Sequence, residues 1–474
     1  MRFQIRRPFW LDFVANLGSF GGGLLLSFLT RILVAQAVGP SGKGVWVLVF
    51  LAYRQGMEFF SLGIHSALFY HVGRSLIGKR EACLVSMLFA FLLGLPSGLF
   101  VLGILNAVLK TSSFSKIIPI FAILTPFSLY TFYLEMIANV EGRIVETSLL
   151  RLTGRFLHAL AVALCLLFSP AIDSILIVGA GAEALYILIS WALFFRWNLF
   201  PPPILRPRWE WGRMLALYGL KGHLGTIFQS LNYRLDVYIL ALFFSPREVG
   251  LYSVAVGFSE LLWIVPNALG MVIGQRAAVR SWGEANRITS TVTRLMLFAL
   301  LWGCLLWPFL GRLVIPLFFG KAFREAVGPV AWLMPGIWLL SLWKNLMNDI
   351  SSRGFPLIKT YTSGVALAAT VILNLLLIPK YGIKGAGAAS SIAYGVAAFL
   401  GLLLYSKVTG VKVWEPVVVR CKDFKALLVI NGGKGDEEGQ GERNNARNGE
   451  KSHSKLSLYN SRGDKEDMGN SANF

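Results

Sequence analysis

Several charged side chains lie inside segments that are otherwise apolar. Residues 229–240 read QSLNYRLDVYIL and hold Gln229, Asn232, Arg234 and Asp236. An arginine can bind a phosphate through paired hydrogen bonds, and an aspartate can take up a proton or a cation. A charge at the centre of a bilayer costs roughly 2.5–3.5 kcal/mol, so such residues normally face a protein interior or water. The stretch therefore predicts a helix with one face turned away from lipid.

A second polar stripe occurs near residue 60. Four of its residues recur at helical spacing on one face: Arg54, Glu58, Ser61 and His65. Arg54 and Glu58 have the i,i+4 spacing of a helical ion pair, which we expect them to form. Glu260 and Lys344 are further charges in apolar segments. Such stripes on several helices predict a hydrated cavity inside a membrane protein, although small polar residues also permit close helix packing.

The composition indicates which elements carry these residues. The 474-residue chain is 55% hydrophobic and 15% charged, with a mean hydropathy of +0.61, whereas soluble domains hold about 25% charged residues. Apolar runs long enough to cross a bilayer as helices recur along it. We therefore predict an all-α polytopic membrane protein with about twelve transmembrane helices. The predicted spans are 13–38, 45–72, 82–109, 117–140, 150–168, 172–195, 214–244, 249–275, 292–319, 328–350, 361–379 and 385–406.

Basic residues are concentrated in alternate loops. Arg74, Lys79 and Arg80 lie together after the second span, whereas the loop after the fifth span has no basic residue. Because short loops rich in lysine and arginine stay in the cytoplasm, this pattern predicts that both termini are cytoplasmic. The net charge of +20 is then mostly a topology signal and does not indicate a nucleic-acid partner.

The sequence contains an internal repeat. Pro40 and Gly44 recur as Pro246 and Gly250, 206 residues later, each pair in a short turn between two spans. An offset of six spans keeps the same orientation, so we predict two six-helix bundles, 1–200 and 201–406, with a substrate path between them. The remaining residues, 407–474, are polar and rich in glycine and asparagine, which predicts a mostly disordered cytoplasmic tail.

Three blocks of the sequence carry a family resemblance. They are TRILVAQAVGPSGKGVWVLVF, LNYRLDVYILALFFSPREVGLYSVAVGFSELLWIVPNALG and LNLLLIPKYGIKGAGAASSIAYG. Together they resemble polysaccharide (O-antigen type) flippases of the multidrug/oligosaccharidyl-lipid/polysaccharide exporter superfamily, over roughly residues 10–406. The resemblance implies a multi-pass protein of the bacterial inner membrane. It would move polyprenyl-pyrophosphate-linked oligosaccharide across the bilayer by alternating access, for surface polysaccharide biosynthesis.

The resemblance also suggests roles for the polar residues. Cationic residues in the cavity of such flippases are held to engage the sugar-pyrophosphate head. The substrate-binding candidates, with their polar neighbours, are Arg31, Arg54, Lys221, Gln229, Asn232, Arg234 and Lys344. The chain has no nucleotide-binding motif of the Walker type, so we expect an H⁺ or Na⁺ gradient to drive transport. The ion-coupling candidates are Glu58, His65, Asp236 and Glu260. A polymerase or a glycosyltransferase of the same biosynthesis is a candidate partner.

Other functions remain open at this stage. An ion-coupled multidrug exporter or a peptidoglycan-precursor flippase of the same superfamily would share the fold. A membrane-embedded polymerase or glycosyltransferase would need a catalytic set of residues. The longest ordered loop, which holds PPPILRPRW, contains no paired carboxylates and no nucleophile with a base. We therefore expect no catalytic residues. The four cysteines are scattered, and the sequence predicts neither a metal site nor a cofactor.

Overall fold

The chain folds into helices throughout the part that the structure covers. This computed structural model describes residues 9–109, 114, 116–201, 208–420 and 423. The helices are α1 Phe9–Phe60, α2 Ile64–Gly73, α3 Lys79–Leu109, α4 Ile118–Val140, α5 Ile144–Phe168, α6 Ile172–Arg196, α7 Trp209–Phe243, α8 Pro246–Ser259, α9 Ile264–Val279, α10 Trp282–Phe319, α11 Val327–Ser352 and α12 Pro356–Thr409. Short 3-10 helices lie at Glu260–Trp263 and Lys321–Ala326.

Two of these helices reverse direction at a glycine. Gly39 in α1 has φ 63° and Gly382 in α12 has φ 57°, in the left-handed region that glycine adopts without steric cost. The Nζ atom of Lys43 lies 3.1 Å from the carbonyl oxygen of Arg31. A straight helix would separate these two residues by about 18 Å, so the chain must fold back between them. In α12, a Cβ atom built on Gly385 would lie 2.3 Å from the carbonyl oxygen of Leu377. A straight helix would separate these two residues by about 12 Å, so α12 also folds back, at Gly382.

The described helices account for the predicted membrane architecture. Nine helical stretches in the described residues are long and apolar enough to cross a membrane, and those in α1 and α12 each include a reversal. Adding α7, which the polar stripe makes less apolar, gives twelve segments in the predicted order. Large apolar side chains such as Leu92, Leu95 and Leu99 are exposed on α3, whereas Ser97 between them is fully buried. This distribution is expected of a helix that faces lipid, and the predicted all-α membrane fold is confirmed.

The two repeat-related segments, each the first turn of a helix, lie against each other. A Cβ atom built on Gly44 would lie 1.7 Å from the carbonyl oxygen of Pro246, and one built on Gly250 would lie 1.9 Å from that of Pro40. Such reciprocal contacts are what a two-fold relation between the repeats produces. The described residues up to Val417 form one compact unit, so the boundary at residue 200 stays a prediction. Most of the predicted tail lies outside the described residues.

Candidate functional site

Arg234 and Glu260 form a two-point ion pair in the C-terminal half. Arg234 Nη1 lies 2.9 Å from Glu260 Oε1, and Arg234 Nη2 donates to Glu260 Oε2 over 3.1 Å. Arg234 lies on α7 and Glu260 begins the short 3-10 helix that interrupts the eighth span. Both side chains are only partly buried, at 31% and 17% exposure. The geometry is the fork arrangement by which arginine also binds phosphate, so a phosphate would compete with Glu260 for the same donors.

Lys344 of α11 lies beside this pair on an aromatic surface. Its Nζ atom is 3.9 Å from the ring centroid of Trp263 and 5.4 Å from that of Tyr233, and it donates to Asn267 over 3.1 Å. Tyr394 completes the group, with ring centroids 6.2 Å from Tyr233 and 6.3 Å from Trp263. The rings stabilise the ammonium group through cation–π attraction without neutralising it. A positive charge is therefore held close to the Arg234–Glu260 pair.

Three arginines of the N-terminal half have no carboxylate partner. Arg31 and Arg54 on α1 and Arg155 on α5 are all exposed, and none forms an ion pair with any described residue. Arg155 lies against the bare backbone of Gly23, where a Cβ atom would come within 1.7 Å of its Nη1. Arg31 lies within electrostatic range of Arg54, Arg234 and Glu260. Its guanidinium also reaches α8, 3.1 Å from a Cβ built on Gly257.

We call these five cations the cationic cluster: Arg31, Arg54, Arg155, Arg234 and Lys344. The side chains come from both halves of the chain, and they remain accessible although protein surrounds most of them. Accessible charge inside a membrane protein is expected where water enters. The sequence identified four of the five members. Arg155 was missed as a site residue, because it lies near a loop and was counted among the basic residues that indicate membrane topology.

The expected ion pair between Arg54 and Glu58 is wrong. Arg54 is exposed, and Glu58 accepts a hydrogen bond from Ser230 of α7 over 2.6 Å. Next to this contact, Nε2 of His223 lies 2.8 Å from the carbonyl oxygen of Phe59. Glu58 therefore links α1 to α7, while Arg54 on the same helix belongs to the cationic cluster. The i,i+4 spacing would allow an ion pair, but Ser230 on α7 hydrogen-bonds the Glu58 carboxylate instead.

Asp236 and Asn232 lie in the interior of the C-terminal half. Asp236 is 2% exposed and accepts hydrogen bonds from the Tyr252 hydroxyl over 2.5 Å and the Ser390 hydroxyl over 3.0 Å. Asn232, 5% exposed, donates to the Ser363 carbonyl over 2.8 Å. The sequence suggested that this stripe faces a water-filled path; the structure instead turns it toward α8 and α12. An ion-coupling role for Asp236 stays a prediction, now for a buried position.

The remaining candidates are dispersed. Gln229 donates to the Tyr233 hydroxyl over 2.8 Å and lines a small cavity that Asn232 also lines. His65 is half-buried against Phe132, with ring centroids 5.1 Å apart. Lys221 is exposed near the start of α7. Neither His65 nor Lys221 contacts the cationic cluster in the described residues, so their predicted roles gain no support from geometry.

Sequence reasoning also missed a carboxylate of α6. Glu183 accepts hydrogen bonds from the Tyr53 hydroxyl over 3.1 Å and the Ser128 hydroxyl over 3.0 Å. The signal was present, because Glu183 is the single acidic residue in the run ILIVGAGAEALYILIS. An ionisable residue within a membrane span is by default a candidate for function. Glu183 lies within electrostatic range of Arg54, and so close to the cationic cluster.

The comparisons with known proteins show a fold and no family. No family model and no curated protein sequence matches the chain. Its structure is similar to that of the lipid II flippase MurJ in an inward closed conformation, with a TM-score of 0.69 and 15% identity over 90% of this chain and 94% of that one. An inward-facing multidrug resistance MATE family transporter of the MOP superfamily gives 0.65 and 14% over 82% and 94%. A MOP superfamily transporter from Pyrococcus furiosus Vc1 gives 0.58 and 12% over 84% and 94%. The chain therefore has the fold of MOP superfamily transporters.

Proposed function

We propose that this chain is a polysaccharide (O-antigen type) flippase of the bacterial inner membrane. It moves polyprenyl-pyrophosphate-linked oligosaccharide from the cytoplasmic to the outer leaflet by alternating access. The observation that carries the proposal is the set of three accessible arginines without a carboxylate partner, Arg31, Arg54 and Arg155. A diphosphate is the natural ligand for such a set, since each phosphate can accept paired hydrogen bonds from a guanidinium.

The chemistry of the cargo explains why a protein of this kind is needed. A diphosphate with attached sugars is strongly hydrated, and moving it through hydrocarbon without partners is prohibitive. The cationic cluster supplies partners inside the membrane, and its three arginines without a carboxylate partner among the described residues are exposed. A cationic drug would be repelled by the same cluster, which disfavours the multidrug exporter. A peptidoglycan precursor also carries a diphosphate, so only a transport assay separates that cargo from the proposed one.

We further propose that an H⁺ or Na⁺ gradient drives the alternation. Glu58, Asp236 and Glu260 are the carboxylates of the predicted coupling set, and His65 is its remaining member. Each carboxylate is held by groups on a neighbouring element: Glu58 by Ser230, Asp236 by Tyr252 and Glu260 by Arg234. Ion binding at such a position would change contacts between helices, which is how a gradient can bias two conformations. Independently of the driving ion, the basic residues in alternate loops predict that both termini face the cytoplasm.

The test is transport by the purified chain in vesicles. Fluorescent polyprenyl-diphosphate oligosaccharide is reconstituted with the protein, and arrival in the opposite leaflet is followed by quenching. Arg54→Ala should slow transport about tenfold or more, because a charge-assisted hydrogen bond contributes roughly 1.5–3 kcal/mol. Arg312→Ala is the matched control, since that exposed arginine lies over the ring of Phe309 on α10 and outside the cationic cluster.

Complementation gives the cellular counterpart of this assay. Bacteria that lack their own O-antigen flippase are transformed with the native chain or Arg54→Ala and stained for surface polysaccharide. Restoration by the native chain alone supports the proposal. If the chain transported a peptidoglycan precursor and not the glycan lipid, the proposed cargo would be wrong. If it exported cationic dyes and neither lipid, it would be a multidrug exporter and not a flippase.

A further inference from the structure

Glu183 sits at the centre of a three-way contact in the N-terminal half. Its Oε1 atom lies 3.1 Å from the Tyr53 hydroxyl and 3.0 Å from the Ser128 hydroxyl. The two hydroxyl oxygens are also hydrogen-bonded to each other. The three groups come from α1, α4 and α6, so the contact joins elements far apart in the sequence. We call it the Glu183 triad.

Counting protons shows what the triad requires. Three oxygen atoms make three mutual contacts, and each hydrogen bond among them needs its own proton. The hydroxyls of Tyr53 and Ser128 supply two protons. For all three contacts to be hydrogen bonds at the same time, the third proton must lie on Glu183, because a carboxylate without a proton can only accept. The ionised acid accepts from both hydroxyls. When it takes up a proton, Glu183 can donate to Tyr53, Tyr53 to Ser128 and Ser128 to Glu183, which closes a ring of three hydrogen bonds.

The surroundings of Glu183 favour the same state. The carboxyl group is half-buried in the middle of a membrane span, and no described lysine, arginine or histidine lies within ion-pair distance of it. Glu135 of α4 is different, because Arg151 of α5 lies 3.4 Å from it. An ionised carboxylate without such a partner is costly inside a membrane, and uptake of a proton removes that cost.

Several further groups face this region from the elements packed around α6. Arg54 of α1 lies within electrostatic range of Glu183, while His158 of α5 packs on the same helix at Gly179. Tyr186, three residues along α6, donates a hydrogen bond to Glu135. Among the described residues, the titratable or charged groups around this region include Tyr53, Arg54, Glu135, Arg151, Arg155, His158 and Tyr186. Arg54 connects the triad to the cationic cluster.

The C-terminal half holds a carboxylate in a similar setting. Asp236 Oδ2 accepts from the Tyr252 and Ser390 hydroxyls, again one tyrosine and one serine on a single oxygen. The internal repeat does not relate the two sites, because the residue 206 positions before Asp236 is Thr30. Each half of the chain therefore has its own carboxyl group that is held by two hydroxyls. The helices that form the Glu183 site do not correspond, through the repeat, to those that form the Asp236 site.

We propose that Glu183 is a proton-binding site of the N-terminal half, and that its protonation is one of the steps by which a proton gradient drives transport. The second part rests on the proposed function. The protonated acid closes the ring of the triad and ties α1, α4 and α6 together. Loss of the proton breaks one of the three contacts and leaves a negative charge within electrostatic range of Arg54. Proton binding therefore changes the packing of the helix that carries part of the cationic cluster.

Infrared spectroscopy of the purified chain in lipid, without any substrate, tests proton binding directly. A protonated carboxyl in a dry site gives a C=O stretching band, which should fade as the pH is raised. Glu183→Gln should remove the band, and Tyr53→Phe should shift its frequency by deleting one hydrogen bond. Glu141→Gln is the control, because that carboxyl is partly exposed and pairs with Lys79. No titrating band that depends on Glu183 would overturn the proposal.

Transport in vesicles tests the coupling and separates the two proposals. Glu183→Gln keeps the shape and the hydrogen-bonding ability of the side chain, so a purely structural role predicts an unchanged pH profile. We expect instead that transport by this variant no longer responds to an imposed proton gradient. A wild-type response in the variant would overturn the coupling. A titrating Glu183 band in a chain that moves no glycan lipid would refute the proposed function and retain the proton site.

Discussion

At the scale of single residues, the cations of the cluster differ in whether they are neutralised. Arg234 is held by Glu260 in a two-point contact, whereas Arg31, Arg54 and Arg155 have no carboxylate partner in the described residues. A diphosphate can bind the three free arginines without displacing anything. Binding to Arg234 requires release of Glu260 first. The cationic cluster thus contains three arginines without a carboxylate partner among the described residues and one, Arg234, whose guanidinium is already bound by Glu260.

Replacing Glu260 should therefore strengthen anion binding. Glu260→Gln leaves a side chain of the same size but removes the charge that holds Arg234. We expect a diphosphate lipid to bind about tenfold more tightly, as one charge-assisted hydrogen bond of roughly 1.5 kcal/mol becomes available. Quenching of tryptophan fluorescence during titration would measure this, with Glu248→Gln as the surface control. Weaker binding in Glu260→Gln would show that the carboxylate itself holds the ligand.

Burial decides how much an ion pair contributes to stability. Asp349 and Arg353 are 0% and 4% exposed and lie 2.7 Å apart, whereas Arg247 and Glu325, also 2.7 Å apart, are 42% and 60% exposed. Asp349→Asn should lower the free energy of unfolding by about 3–5 kcal/mol, because it leaves a buried arginine without its counter-charge. Glu325→Gln should change it by less than about 1 kcal/mol. Thermal unfolding in the same detergent compares the two, and equal losses would contradict this reasoning.

At the scale of elements, the first turns of the helices that hold Gly44 and Gly250 lie against each other at one end of these helices, where α1 reverses and α8 begins. Their backbones touch the opposite turn so closely that neither position has room for a methyl group. The reversal of α1 at Gly39 and the start of α8 at Pro246 are thereby brought together. Under the proposed function, each end of the molecule opens in turn, so this contact would form and break during transport.

A methyl group at either turn should favour the state in which this end is open. Gly44→Ala puts a Cβ atom 1.7 Å from the Pro246 carbonyl oxygen in the closed arrangement, and overpacking of this kind costs about 1–3 kcal/mol. We expect faster labelling of a cysteine placed near Gly250 by a water-soluble thiol reagent. Gly103→Ala is the control, because nothing lies within 4 Å of its Cβ position on α3. Equal labelling in both variants would mean that the contact does not close this end.

At the scale of the whole molecule, the compact unit continues beyond the last helix. Arg294 of α10, 5% exposed, donates to the carbonyl oxygen of Glu415 over 2.6 Å, and Asn286 donates to that of Thr409 over 3.0 Å. The segment after α12 therefore packs against the start of α10. The compact unit ends at Val417, and the sequence beyond it is the part that we predict to be dispensable.

Two truncations test this boundary. A chain that ends at Val417 should keep the unfolding temperature and the transport rate of the full protein. A chain that ends at Thr409 loses the Glu415 acceptor of a buried arginine and should be less stable by about 1–3 kcal/mol. Thermal unfolding and the vesicle assay measure both. A loss of transport in the longer truncation would assign a role to the tail and refute its dispensability.

The sequence by itself determined the class of protein, the order of the helical segments and the place of the repeat. These depend on local properties: runs of apolar residues, and glycine and proline at turns. Gly39 and Pro40 mark a reversal because of their own backbone geometry, whatever lies around them. Four of the five members of the cationic cluster were found for a similar reason, since a charged residue within an apolar run is easily recognised in the sequence.

Only the tertiary structure decided which side chains meet. Arg54 and Glu58 lie four residues apart yet have different surroundings, and Asp236 is buried beside Tyr252 and Ser390. Glu183 meets Tyr53, which is 130 residues away. A membrane helix can be apolar on its lipid-facing and its protein-facing sides alike, so its sequence does not reveal which face a neighbour covers. Partners that come from distant helices are fixed by packing, and the proton site proposed at Glu183 exists only because three helices meet there.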